Sequence, residues 1–225
     1  MSRDESAHYS GQDLAHSRFD QQELKYAVFE DCSLIGCSFR ASDLEGTTFT
    51  RCQAFSPDED DQADFAYANL SECLFDQCDF TAASFERIRG YDLKFTNCQL
   101  QGVDLSSSDF SLPIGNHSDL VSFVMSDCNF AYGNLSNTNL AGCELRNNRM
   151  VEALLHNCVL DNTILNGSDL SNISASALSL KGADLRSATF NNLDPRQIDL
   201  SGTRIDLAQT LWLLAPLGVN VDTGD

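Results

Sequence analysis

The chain has 225 residues, 42% of them hydrophobic, and 33 acidic side chains stand against 14 basic ones for a net charge of −19. That apolar content suffices for a continuous core and excludes a disordered chain. The charge excludes a surface built to hold nucleic acid or anionic lipid and favours basic partners, and no stretch approaches the roughly 20 apolar residues of a membrane span.

The first residues, Met1 to Glu5, lack the apolar run of a secretory signal, so a cytoplasmic chain is expected. From there a repeat begins. A large apolar side chain stands every five residues at Tyr9, Leu14, Phe19, Leu24, Phe29, Leu34, Phe39, Leu44 and Phe49. A second frame, displaced by one, runs from Phe65 through Leu70, Phe75, Phe80, Phe85, Phe95, Leu120 and Met125 to Leu200 and Ile205. Gly90, Gly115, Ala175 and Pro195 are out of pattern. A spacing of five fits neither the 3.6 of a helix nor the 2.0 of a strand. It fits an all-β solenoid of square section, in which each five-residue unit forms one side and every fifth side chain points to the axis.

The position two before each centre also points inward, with little room. It carries Ala27, Ser42, Thr47, Ala63, Ala68, Ala83, Thr138, Ala153, Ser168 and Ala183, and all nine cysteines. A free cysteine there packs as a small hydrophobe. Reduced thiols are expected in a cytoplasmic chain, and the five-residue step from Cys32 to Cys37 is not that of zinc ligands, so no metal or cofactor is expected.

Two segments interrupt the repeat. Residues 53–64 shift the frame and contain Phe55, Ser56, Pro57, Asp58, Glu59, Asp60 and Asp61; residues 111–122 contain Leu112, Pro113, Ile114, Asn116, His117 and Asp119 and place Pro113 and Gly115 inward. Both read as external loops, and loops on a rigid scaffold are where function concentrates. The repeat domain thus occupies residues 1–205. In 206–225, Asp206 is placed to cap a short C-terminal α-helix with Gln209 at its third position, and Pro216 should end it. Leu207, Leu211, Trp212, Leu214 and Leu217 are more apolar surface than one end coil buries, which predicts a homodimer, tail to tail.

The motif seen in Ala63, Asp64, Phe65 and again in Ala183, Asp184, Leu185 resembles that of the pentapeptide-repeat family. The resemblance implies a right-handed quadrilateral β-helix. Two loops of this length at these places, the stretch Asp194 to Ile205 and the tail Pro216 to Val219 look like the quinolone-resistance (Qnr) branch. That implies binding to DNA gyrase and topoisomerase IV and protection of both from quinolones, with the loops needed for protection and the C-terminal helix building the dimer.

Electrostatics alone also permits DNA mimicry. Roughly nine coils at about 4.8 Å give a rod of about 43 Å. Spread over it, the net charge of −19 amounts to about one charge per 2.3 Å, against roughly 1.7 Å for duplex DNA. Catalysis is not expected. His8, His16, His117 and His156 lie in different segments, a filled interior leaves no substrate cavity, and no phosphate-binding loop motif is present. The rival readings are a repeat protein that inhibits gyrase or gives immunity to another gyrase poison, and a scaffold whose loops bind an unrelated protein.

Overall fold

The computed structural model describes residues 6–58, 61–115 and 118–220. They form a right-handed quadrilateral β-helix ending in a short helix. Strands β1 His8–Ser10, β2 Val28–Glu30, β3 Thr48–Thr50, β4 Leu74–Asp76 and β5 Leu93–Thr96 stack in parallel on one side. Strands β6 Ser111–Ile114 and β7 Ser118–Val121 then form an antiparallel hairpin, and β8 Phe123–Ser126 returns to the stack beside β5. His8 lies beside Val28, so one coil takes twenty residues, four sides of five. With the strand stack as face 1, faces 2 to 4 follow in chain order, held by single parallel bridges. These link Asp13, Ser33, Gln53 and Asp79 on face 2, Arg18, Ser38, Asp64 and Ser84 on face 3, and Glu23, Asp43, Asn69, Arg89 and Asp109 on face 4.

The corners explain why the period is five. Two residues beyond each centre the backbone turns through positive φ, 59° at His16, 64° at Tyr67 and 54° at Asn157. Such a conformation costs a non-glycine residue about 1–3 kcal/mol. The ladder offsets it: the turn N–H of His16 donates to Ile35 O at 2.8 Å and that of Tyr67 to Glu86 O at 3.0 Å, one coil on.

Inside, the centres stack in columns. On face 1, Tyr9, Phe29, Phe49, Phe75 and Phe95 follow one another at centroid separations of 4.6, 4.7, 4.6 and 4.7 Å. On face 3, Phe19, Phe39, Phe65 and Phe85 do the same at 4.8, 4.7 and 4.6 Å. The two columns meet edge to face, as the ring quadrupoles prefer. Beyond Met125 the interior passes mainly to leucine.

The nine cysteines are free and buried. Five of them, Cys32, Cys52, Cys78, Cys98 and Cys128, stand in one file behind face 2, each one coil above the last. Burial pushes Cys37, Cys143 and Cys158 up to about 11. The small inward position meets a second need besides fit, because its side chain donates to the carbonyl of a centre one coil below. Cys37 Sγ reaches Leu14 O and Cys73 Sγ reaches Leu44 O at 2.9 Å, as Ser42 reaches Phe19 O and Thr47 reaches Leu24 O at 2.7 Å.

Several sequence expectations need correction. The inward position is not always small: Ile88, Leu93, Phe123, Ile173 and Leu193 occupy it and are buried. Large and small exchange places at Ile88 and Gly90, Ile173 and Ala175, and Leu193 and Pro195, so three of the four irregular centres are compensated by their own neighbours. Leu120 is not a core residue but 48% exposed. Gln53 and Ala54 remain in the coil, bridged to Asp79 and buried respectively, and Ala63 and Asp64 have rejoined it. The first excursion is therefore 55–62, not 53–64.

Asp206 does not cap the terminal helix α1, Gln209–Leu214. Ala208 is its N-cap, with no side-chain bond. The Asp206 carboxylate instead accepts the backbone N–H of Ser187, and Gln209 is the plug. Only 3% exposed, Gln209 accepts from Asp206 N at 2.7 Å and donates to Leu185 O and Ala188 O at 2.6 Å, closing the last coil. Pro216 lies inside a 3-10 turn, Ala215–Leu217, that prolongs the helix until Gly218 turns left-handed at φ 72°.

Candidate protein interaction surface

Both excursions leave the rod at corners. Thr48 pairs with Leu74, twenty-six residues on, so the first adds six residues to its coil. Leu93 pairs with Phe123, thirty on, so the second adds ten. The first lies between Ala54 of face 2 and Ala63 of face 3; the second lies between Phe110 of face 4 and Phe123 of face 1. These corners are diagonally opposite, and the loops are two and a half coils apart along the axis. The candidate contact residues thus fall into two groups that the fold does not bring together.

In the first group, Phe55 and Ser56 are half-buried, while Pro57, Asp58 and Asp61 are exposed. Glu59 and Asp60 lie outside the described residues. Gln53 Nε2 donates to Phe55 O at 2.9 Å, and Asp58 N donates to Ser56 Oγ at 3.3 Å. The far end folds back on the N-terminal coils, where Asp61 comes within 3.4 Å of His16 Nδ1. Gly36 makes that seat. At the same corner His16, Ala82 and Tyr132 adopt positive φ without being glycine. What a side chain at Gly36 would meet is His16 Nδ1 at 2.7 Å and Asp61 Cβ at 3.0 Å.

In the second group the hairpin pairs Leu112 with Leu120, Pro113 with Asp119 and Ile114 with Ser118. Residues directly opposite in an antiparallel pair share a face, and so do residues two apart. Leu112, Ile114 and Leu120 therefore form one apolar face, at 45%, 48% and 48% exposure. Pro113 and Asp119 are on the other, exposed, while Val121 packs against the core. The hairpin is rooted by Phe110 and Phe123, whose centroids are 4.5 Å apart, and by Ser122 Oγ donating to Asp92 at 3.0 Å. Asn116 and His117 lie outside the described residues. Leu120 was missed in the sequence because it happens to keep the frame of five. The signal that could have found it is the alternation of Leu112 and Ile114 ahead of a turn at Gly115.

The helix residues form a third surface, at the end of the rod. Trp212 meets Phe190 edge on at 5.4 Å and Leu213 packs on the core. Leu214 is half-buried, whereas Leu211, Trp212 and Leu217 are exposed by 40%, 43% and 47%, and Leu207 by 89%.

The charge is unevenly placed. Of the net −19, residues 1–6, 55–62, 111–122 and 207–225 carry a net −8, and residues 55–62 hold four carboxylates with no cation. The coils keep −11, about one charge per 3.9 Å, so the average density falls below that of a DNA duplex. On face 3, Arg40 and Asp64 pair at 2.6 Å and Arg87 and Glu86 at 3.1 Å, while face 4 carries an acidic excess in its N-terminal coils. Among the described residues no group of three or more His, Cys, Asp or Glu side chains could hold a metal ion. A cavity of about 80 Å³ opens beside Ala175, where face 3 lacks a large centre.

The family profile described as pentapeptide repeats matches residues 13–51, 61–89 and, in overlapping copies, 116–192. The chain belongs to the pentapeptide-repeat family. It is homologous to the Qnr proteins. It is 26% identical over 136 residues to the quinolone resistance pentapeptide repeat protein QnrB96 of Scandinavium goeteborgense, a span covering 60% of this chain and 64% of that one. To the pentapeptide repeat protein QnrB4 of Escherichia coli it is 28% identical over 136 residues, covering 60% and 63%. The aligned part thus spans slightly less than two thirds of these curated relatives. Among solved structures, full-length QnrB1, a plasmid-mediated fluoroquinolone resistance protein, superposes with a TM-score of 0.77 at 25% identity, covering 95% of this chain and 98% of that one. A trypsin-treated variant of QnrB1 superposes at 0.79, also at 25% identity, covering 96% and 98%.

Proposed function

We propose that this protein binds DNA gyrase and topoisomerase IV in the cytoplasm, in place of DNA, and protects them from quinolones without itself catalysing a reaction. The observation that carries the reading is the acidic rod with two excursions, alike in fold over nearly its whole length to a fluoroquinolone resistance protein. The rod offers carboxylates to a basic DNA-binding surface. The loops add contacts that DNA lacks, and these separate protection from plain competition with DNA.

The test is supercoiling of relaxed plasmid by gyrase at a quinolone concentration that nearly abolishes it, with the protein titrated in, beside a drug-free series. Rescue with little drug-free inhibition is expected. Inhibition alone would favour a gyrase inhibitor, and no effect in either series would favour a scaffold with another partner.

The functional unit in this reading is a dimer through the C-terminal helix. Leu207, Leu211, Trp212 and Leu217 are exposed together at the rod's end, and exposed apolar patches of this kind mark association sites. Light scattering at micromolar concentration should give twice the chain mass, and a monomeric mass would remove the dimer from the proposal.

A further inference from the structure

The ladder that joins the coils is interrupted on face 3 near the C-terminal end of the rod. In the two coils below, each centre and its corner residue donate to the coil above. Leu135 N–H reaches Leu154 O at 2.9 Å and Asn137 N–H reaches His156 O at 2.8 Å; Leu155 and Asn157 then reach Ser174 O and Ser176 O, both at 2.8 Å. Ala175 and Ala177 are next in register, and among the described residues their N–H groups find no acceptor. Their own coil is regular there: Ser174 N–H donates down to Ala153 O at 2.9 Å, and Ala177 keeps the corner conformation at φ 53°. The cause lies above. Pro195 stands at the centre, and the chain around it closes into a tight turn in which Asp194 O, the acceptor due to Ala175, takes the N–H groups of Gln197 at 2.9 Å and Ile198 at 3.2 Å instead.

Between these two coils lies the cavity of about 80 Å³. Both unpartnered N–H groups point toward it, because their counterparts below point along the axis to the next coil. Backbone N–H groups gathered at a concavity attract ligand oxygens with negative charge. The Ser176 hydroxyl stands between them, held by His156 Nδ1 at 2.9 Å, while His156 Nε2 meets Ser174 Oγ at 3.2 Å. Ile173, Leu178, Leu193 and Ile198 supply an apolar wall. Asp194 is the one charged residue around the cavity, and Arg196 binds both its oxygens, Nε at 2.9 Å and Nη2 at 2.7 Å, which holds the carboxyl down at about 2 and offsets its charge. No Asp, Glu, Lys or Arg stands on face 3 between Asp104 and Asp194. The acidic remainder of the rod is therefore largely screened from this spot, since the Debye length at physiological salt is about 8 Å.

We propose that this cavity binds a small monocarboxylate. Its two oxygens accept from Ala175 N–H and Ala177 N–H, and its short alkyl part lies on Ile173 and Leu193. A phosphate or other dianion is disfavoured, because no unpaired cation faces the cavity and half the wall is apolar. The proposal is independent of the topoisomerase reading and uses neither loop nor the terminal helix.

The experiment follows the backbone amides of the full chain by nitrogen-15 NMR while sodium propionate is titrated in, beside a sodium chloride series of equal ionic strength. Before addition, the Ala175 and Ala177 amides should exchange with solvent much faster than those of Leu155 and Asn157. Propionate should shift both resonances saturably, with a midpoint in the millimolar range, and slow their exchange by about tenfold. Ala175→Leu restores a large centre, so it should fill the cavity, raise Tm and abolish the response. Ser176→Ala, at an exposed position, should weaken the response several-fold in an undisturbed fold. No saturable shift up to decimolar propionate would overturn the proposal and leave the cavity to water. Equal shifts with chloride would mean an adventitious ion only, and a parental response in Ala175→Leu would place the site elsewhere; either result overturns it.

Discussion

Excision of residues 112–121 should yield a protein that folds as the parent does and, on the proposed function, loses about tenfold or more of its potency in rescuing quinolone-poisoned gyrase, the scale set by a cluster of interface anchors. The structure gives the reason for the intact fold. The coil that carries the hairpin has thirty residues, and removing ten restores twenty. Ser111 and Ser122 then remain as the two corner residues between Phe110 and Phe123. The second must take positive φ, as Ser107 and Ser187 already do at 56° and 61°. Thermal unfolding and the supercoiling titration together check this. A variant as stable as the parent that rescues at the parent's concentration would refute the role given to the hairpin.

Replacing Phe75→Ala should cost about 3–5 kcal/mol, the range for removing a fully buried aromatic ring. Phe75 is wholly buried, stacked at 4.6 Å on Phe49 and 4.7 Å on Phe95, and it meets Phe65, Phe80 and Phe85 edge on. The cavity cannot collapse, because backbone ladders above and below hold the coils at strand spacing. In a solenoid each coil touches only its neighbours, so the lesion also weakens the coupling between the coils on either side. Guanidinium denaturation followed by circular dichroism should show the midpoint falling; a loss under about 1 kcal/mol, as found at sites that repack freely, would contradict it.

Much of the site was legible in the sequence, for reasons that differ from residue to residue. Asp58 to Asp61 could be placed in an excursion because a shift of the frame by one cannot be absorbed by coils of fixed length. Leu112 and Ile114 were placed correctly as loop residues because Pro113 and Gly115 are unsuited to inward positions. Leu120 was misplaced because ten extra residues are two whole periods, and a period cannot register an insertion of its own multiple. The seat of the first excursion on Gly36 and His16 left no local trace, since it joins residues a coil or more apart.

The repeat itself, the inward columns, the buried thiols and the acidic surface follow from the sequence, because a strict period of five with one large and one small inward residue permits few ways to bury both. Tertiary structure decided which columns lie together. The five stacked cysteines and the diagonal placement of the loops depend on coil lengths of twenty, twenty-six and thirty residues. Those lengths are set by backbone pairing between coils, and pairing across a coil is a contact that local residue patterns do not encode.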